Sequence, residues 1–151
     1  MKKIYILFLL ASITGIVNAQ SEKQVQWAYT VKKLADKTYE VHMTATIGDN
    51  FHLYAQNVGV EGPVATTFTF TKNPLTTLDG KPKEVGKVVK KKEEAWGGVV
   101  NYYEKTVDFV QPVKLKGNIK TTLAGKVEFM VCNDSKCLPP SNVDIKVNIG
   151  G

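Results

Sequence analysis

The chain has 151 residues and a formal charge of +6, set by 20 basic residues, all of them lysine, against 14 acidic ones. A chain of that length suits one domain and buries roughly two thirds of its unfolded surface, so it needs neither a metal nor a disulfide staple to hold a core. Without arginine, bidentate recognition of phosphate or guanine is not available, which argues against a nucleic-acid partner.

The amino terminus reads as an address rather than as structure. Lys2 and Lys3 precede an apolar stretch over 4–17, and Val17-Asn18-Ala19 is a small-residue cleavage site. The sequence thus predicts a signal peptide at 1–19 and one mature domain at 20–151. Loss of Lys2 and Lys3 leaves 18 lysines against 14 acids, a charge of +4. No cysteine follows the apolar stretch where a lipid anchor would attach, and no later segment reaches the about 20 apolar residues of a membrane span. An exported, soluble protein, periplasmic or secreted, is expected.

Strands with a period of two dominate the rest. After a first run at 25–31, Val41, Met43, Ala45 and Ile47 point one way while His42, Thr44 and Thr46 point the other. Further runs lie at 66–71, 85–89, 102–115 and 125–132, and Val143, Ile145, Val147 and Ile149 repeat the alternation at the far end. Turn residues punctuate them at Gly48-Asp49-Asn50, Gly62-Pro63, Asn73-Pro74, Asp79-Gly80, Gly97-Gly98, Gly117-Asn118 and Pro139-Pro140. No stretch has a helical period. Seven to nine short strands at this spacing predict an all-β, antiparallel β-sandwich of immunoglobulin-like type, without the Cys…Trp…Cys spacing of antibody domains. Trp27 and Phe68 are read as core, and His42 falls on a polar face with no assigned role. Lys81, Lys83, Lys87, Lys90, Lys91 and Lys92 cluster, which reads first as a solvated, edge-protecting strand and second as a surface for an acidic partner.

Cys132 and Cys137 are the two cysteines, set in Val131-Cys132-Asn133-Asp134-Ser135-Lys136-Cys137-Leu138-Pro139-Pro140 at the end of a strand run. Outside the cytosol such a pair is expected to be joined. A bridge across so short a loop restrains the unfolded chain by only about 2 kcal/mol, which favours a reactive role over a purely structural one. Exchange needs an accessible thiolate and a leaving sulfur held close by. Lys136 and the extended exit set by the prolines make Cys137 the attacking candidate; Cys132, strand-bound and near Asp134, is the resolving one. An inert bridge pinning a hairpin is the competing reading. A zinc site from both cysteines with His42 and His52 is a weaker third, because the histidine spacing fits no common pattern.

Several segments in order carry a resemblance: Trp27-Ala28-Tyr29, then Gly48-Asp49-Asn50-Phe51-His52-Leu53-Tyr54, Gly62-Pro63, Trp96-Gly97-Gly98 with Tyr102-Tyr103-Glu104, and finally the cysteine pair with Leu138-Pro139-Pro140. Across nearly the whole mature chain this resembles the amino-terminal periplasmic domain of the bacterial thiol:disulfide interchange protein DsbD. The resemblance implies an immunoglobulin-like domain whose cysteine pair takes electrons from a transmembrane donor and passes them to thioredoxin-like periplasmic proteins, with no cofactor. Because the sequence stops at Gly151, the donor is expected to be a separate membrane protein. The Cys-x4-Cys spacing is one residue shorter than in the best-known members.

The same resemblance assigns supporting positions. Glu93-Glu94-Ala95-Trp96-Gly97 matches the protective loop, with Ala95 in the slot where the family places an aromatic over the disulfide and Trp96 next to it. Trp96 is then a movable lid or, alternatively, a core tryptophan at a strand start. His52 and Tyr54 match positions beside the cysteines that tune the thiolate, and Glu93 and Glu94 match acidic positions near the site, or simply balance Lys90 to Lys92. A non-catalytic binding or adaptor domain with a structural disulfide is the alternative function.

Overall fold

A computed structural model describes Ser21 and residues 23–151; the signal peptide expected at 1–19 lies outside the described residues. In chain order the strands are β1 (Val25–Ala35), β2 (Thr38–Ile47), β3 (His52–Tyr54), β4 (Thr67–Phe70), β5 (Thr76–Leu78), β6 (Lys83–Val85), β7 (Val89–Glu93), β8 (Gly98–Tyr103), β9 (Thr106–Leu115), β10 (Thr121–Phe129), β11 (Val131–Cys132) and β12 (Ser141–Ile149). All pairings are antiparallel. The first sheet runs β1-β2-β9 with β5 and β6 both laid along β9, the second runs β12-β10-β4, and the third runs β11-β3-β8-β7. The fold is the immunoglobulin-like β-sandwich. No helix among the described residues is long and apolar enough to cross a membrane.

The alternation that defines β2 also defines the core. Tyr39, Val41, Met43 and Ala45 are buried, and their cross-strand partners on β9, Val113, Gln111, Phe109 and Val107, continue the same stripe. Leu123, Val127 and Phe129 of β10 and Ile145, Val147 and Ile149 of β12 face them from the second sheet. Trp27 packs at the edge of this core, its ring 5.6 Å from Phe129, 5.8 Å from Phe109 and 6.0 Å from Phe68. Fully burying a side chain such as Phe109 makes it worth about 3–5 kcal/mol against alanine.

Three of the sequence runs prove to be broken strands, each at a place where the chain changes sheet. The run 102–115 is β8 and β9, separated by Glu104 and by Lys105, whose φ of 62° turns the backbone. The run 85–89 splits into β6 and β7, which edge the first and third sheets on either side of Gly86-Lys87-Val88. The run 125–132 splits at Met130: β10 pairs with β12 and β4 as far as Phe129, then β11 pairs with β3. Strand-forming residues flank each break closely on both sides, so each run reads as continuous. The short strand β5 and a single 3-10 turn at Glu94–Trp96 also have no clear sequence signal. Between β5 and β6, the fully buried Gln111 donates its amide to the Asp79 carbonyl at 3.3 Å and the Pro112 carbonyl at 2.9 Å, filling the gap along β9.

The third sheet has two different faces. Leu53, Tyr103 and Val131 point into the main core, whereas Tyr54, Tyr102, Val100, Met130 and Cys132 build a second apolar cluster on the opposite side. That second face carries the cysteines.

Candidate functional site

β3 has only three residues, yet it sets the site's geometry. Leu53 points inward, so His52 and Tyr54 point outward by the two-residue period of a strand. On one flank β11 places Cys132 directly opposite His52 and Val131 opposite Leu53; on the other, β8 places Tyr102 opposite Tyr54. The Thr66 hydroxyl donates to the Tyr54 carbonyl at 2.6 Å and ties β3 to the segment leading into β4.

Cys132 and Cys137 are bonded, with Cα atoms 4.0 Å apart, and they close a narrow hairpin as cross-strand neighbours. Asn133 organises the turn. Its backbone N–H donates to the Lys136 carbonyl, and its side-chain oxygen accepts the N–H groups of Ser135 and Lys136, each at 2.9 Å. An asparagine carbonyl that bonds its own following backbone is a common way to fix such a turn. The exit is anchored by Leu138 rather than by the prolines alone: its N–H donates to the Val131 carbonyl at 2.9 Å and its side chain is buried in the main core. The Ser21 hydroxyl donates to the Pro139 carbonyl.

The two sulfurs are unequal. Cys132 is 2% exposed, whereas Cys137 is exposed at the hairpin tip. Asp134 contributes little to that difference, because its side chain is 96% exposed and faces Lys91 at 3.8 Å. Burial is the stronger reason for a reluctant thiolate at Cys132.

A groove of about 410 Å³ runs beside the hairpin. It is lined by His52, Tyr54, Glu93, Glu94, Ala95, Trp96, Cys132 and Cys137, which brings all eight residues picked out from the sequence to one place. Lys91, Lys92 and the turn residues 133–136 complete the wall. Trp96 is half-buried at the end of the 3-10 turn, packed on the second cluster and outside the main core. Its indole N–H donates to the Tyr54 hydroxyl at 3.1 Å. Its six-membered ring lies against Gly62, where a Cβ atom would come within 2.5 Å. Gly62 has a φ of 122°, which glycine alone adopts easily, so its place beneath the indole is doubly fixed. Gly97, at φ 68°, returns its N–H to the Glu94 carbonyl and ends the turn. Ala95 and Glu94 are exposed and Glu93 is half-buried.

The groove floor is uncharged and its rim is charged. Burial pushes the His52 imidazole below its usual range, so it is neutral at neutral pH; its ring stacks on Tyr102 at 4.2 Å and meets Tyr54 edge-on at 5.3 Å. The Nε2 atom is buried without a hydrogen-bond partner. Burial likewise raises the Tyr54 and Tyr102 phenols, in Tyr54 against the opposing effect of the indole hydrogen bond.

The histidines part company. His42 lies on the outer face of β2, its Nδ1 2.6 Å from Asp108 and its Nε2 3.7 Å from Glu40, on a different sheet from the cysteines. The structure therefore does not gather His42 with His52, Cys132 and Cys137. Gly62 and Asn133 are site residues that sequence reasoning passed over, and Lys91 and Lys92 were read only as members of a lysine cluster, without a link to the cysteines. Gly62-Pro63 carried a signal, but it read only as a break between strands.

Comparison with known proteins agrees with this geometry. The family described as "Thiol:disulfide interchange protein DsbD, N-terminal" matches residues 18–149. Among solved structures, the reduced form of the DsbD n-terminal domain of Neisseria meningitidis is 19% identical, with a TM-score of 0.59 over 87% of this chain and 90% of that one. The N-terminal periplasmic domain of ScsB from Proteus mirabilis is 16% identical, with a TM-score of 0.55 over 83% of this chain and 46% of that one. At these identities the structural likeness speaks to the fold. No curated protein matches the sequence. With a family match over almost the entire described chain, this protein belongs to the family of N-terminal domains of the thiol:disulfide interchange protein DsbD.

Proposed function

We propose that this domain is a thiol-disulfide exchange module that works outside the cytosol and relays reducing equivalents through Cys132 and Cys137. The observation that carries this reading is the unequal pair: one sulfur exposed at a hairpin tip, its bonded neighbour buried, both beside a groove walled by the Trp96 indole. A bridge serving only to pin a hairpin has no need of one accessible sulfur or of a lined groove beside it.

In the receiving step a donor thiolate attacks the Cys137 sulfur, the Cys132–Cys137 bond breaks, and Cys132 leaves as a thiolate that takes up a proton. A second donor thiol resolves the mixed disulfide, leaving the domain with two thiols and the donor with a disulfide. In the giving step the Cys137 thiolate attacks a partner's disulfide and releases one partner thiol. The Cys132 thiolate then attacks Cys137, reforming the internal bond and releasing the second thiol. Two electrons and two protons move in each direction.

His52, Tyr54 and Tyr102 supply an uncharged setting for Cys132, which keeps its thiolate short-lived and favours ring closure. Trp96, with Ala95, Glu93 and Glu94 on the same turn, restricts small thiols. The partners on this reading are a membrane-embedded donor and thioredoxin-like acceptors.

The test is equilibration of the purified domain with glutathione buffers, read by thiol labelling alongside far-UV circular dichroism. Reversible opening with the β signal intact is the expected result, at a potential above the roughly −300 mV typical of structural bridges. Resistance to a strong dithiol in the native state, or loss of the fold on opening, would instead support an adaptor domain with a structural disulfide.

A further inference from the structure

The lysine cluster follows a single path in the fold. Lys83 lies on β6, Lys87 in the crossover, and Lys90, Lys91 and Lys92 on β7, so the basic residues line the segment that edges the first sheet and then the third. Lys81, Lys83, Lys87, Lys90 and Lys92 are all exposed, and among the described residues none has a carboxylate oxygen within 4.0 Å. Lys91 alone has one, the solvated Asp134.

Guarding a sheet edge against β-addition takes one or two lysines. Here five of the six lysines have no ion-pair partner among the described residues, so their mutual repulsion opposes folding. The run also has a direction, since it ends at Lys91 and Lys92 in the wall of the cysteine groove. Val85 and Val88, 58% and 41% exposed, stand between the lysines and offer apolar contact within the charged strip.

We infer that the β6–β7 edge is a docking strip for the acidic surface of a thioredoxin-like protein, steering its cysteine onto Cys137. This rests on the exchange reading proposed above. Complementary charge beside the reacting sulfur raises the encounter rate, by about ten- to a thousandfold in strongly steered pairs, and the effect fades with salt.

The experiment is stopped-flow reduction of the oxidised domain by a reduced thioredoxin of net negative charge, compared with reduction by dithiothreitol, which is uncharged. Raising NaCl from about 20 to about 200 mM shortens the screening length from roughly 20 Å to roughly 7 Å. The thioredoxin rate should fall about tenfold over that range while the dithiothreitol rate holds. At low salt the triple variant K83E/K87E/K90E should lose about tenfold with thioredoxin, keep its dithiothreitol rate, and no longer slow as salt rises. The triple variant K32E/K114E/K146E, with the same net charge but reversed on other strands, should stay within about twofold of the parent.

Equal losses in the two variants would reduce the effect to net charge and overturn the strip. So would a thioredoxin rate indifferent to salt. If the strip lysines instead govern pelleting with anionic phosphatidylglycerol vesicles and leave the thioredoxin rate unchanged, the occupant is a membrane surface and the inference is wrong. Exchange that proceeds without charge dependence removes the strip alone, whereas failure of thioredoxin to open a pair that dithiothreitol opens removes both the strip and the relay.

Discussion

His52 stands directly opposite Cys132 in the β3–β11 ladder, so the cross-strand neighbour of the buried sulfur is a buried, neutral imidazole. The pairing places a titratable ring 8% exposed against Tyr102 and Tyr54, with burial disfavouring its charged form. Glu93 pulls the other way but does not prevail.

That relationship gives a pH dependence of stability. The folded His52 titrates below the unfolded value of 6.5, so between the two values the unfolded chain binds more protons and stability is lost as pH is lowered. Urea midpoints should drop as pH is lowered from about 7 to about 5, and His52→Phe, which keeps the stacked ring, should flatten the slope in that window. An equal slope in the variant would place the acid sensitivity elsewhere.

The unequal exposure of the sulfurs predicts unequal chemistry. Cys137 in a Cys132→Ala variant should alkylate with iodoacetamide at least about tenfold faster at neutral pH than Cys132 in Cys137→Ala, because both access and thiolate fraction favour it. The Cys132→Ala variant should also accumulate a mixed disulfide with a thioredoxin-like protein, and Cys137→Ala little. Equal labelling rates would leave the relay without its nucleophile.

Gly62 supports the Trp96 indole from beneath. An added Cβ would lie 2.5 Å from the Trp96 ring at a φ of 122°, so Gly62→Ala must displace the indole as well as strain the backbone. Glutathione should then open the disulfide faster in Gly62→Ala, and Trp96→Ala should show the same gain. Tyr54→Phe, which removes only the hydrogen-bond acceptor of the indole N–H, should cost about 1 kcal/mol of stability and give a smaller gain. If Trp96→Ala loses about 3–5 kcal/mol with no change in glutathione rate, the indole is a packing residue and no lid.

Tyr103 marks the alkaline limit. Burial and the negative charge of Glu84 push its phenol up to about 12. The neutral phenol is the form the fold favours, so its contribution is full below the usual tyrosine value of 10.0 and is lost as pH rises toward the folded value. Ultraviolet titration should lose its latest phenolate in Tyr103→Phe, and that variant should lose less stability between about pH 10 and pH 12 than the parent.

Much of this was open to reading in the amino-acid sequence. Alternation at Val41, Met43, Ala45 and Ile47, and again from Val143 to Ile149, determines a strand with one dry face wherever it occurs, because the side-chain period of two is a local property of the backbone. Turn residues divided these strands, and two neighbouring cysteines in an exported context pointed to a bond between them. The order of aromatic and cysteine motifs carried the family.

What the sequence could not hold was the partnership between strands. Residues 125–132 read as one strand run, alternating as far as Phe129 and continuously apolar from there to Cys132, yet Met130 is where the chain leaves one sheet for another, a choice made by which edges are free to pair. The same limit hid the site. Nothing local to Cys132 says that His52 lies across from it, nothing in Gly62-Pro63 says that an indole rests on that glycine, and nothing in a run of lysines says that it ends at a disulfide. Those relationships join residues 30 to 80 positions apart, and only the packed sheets, by fixing register and burial together, decide them.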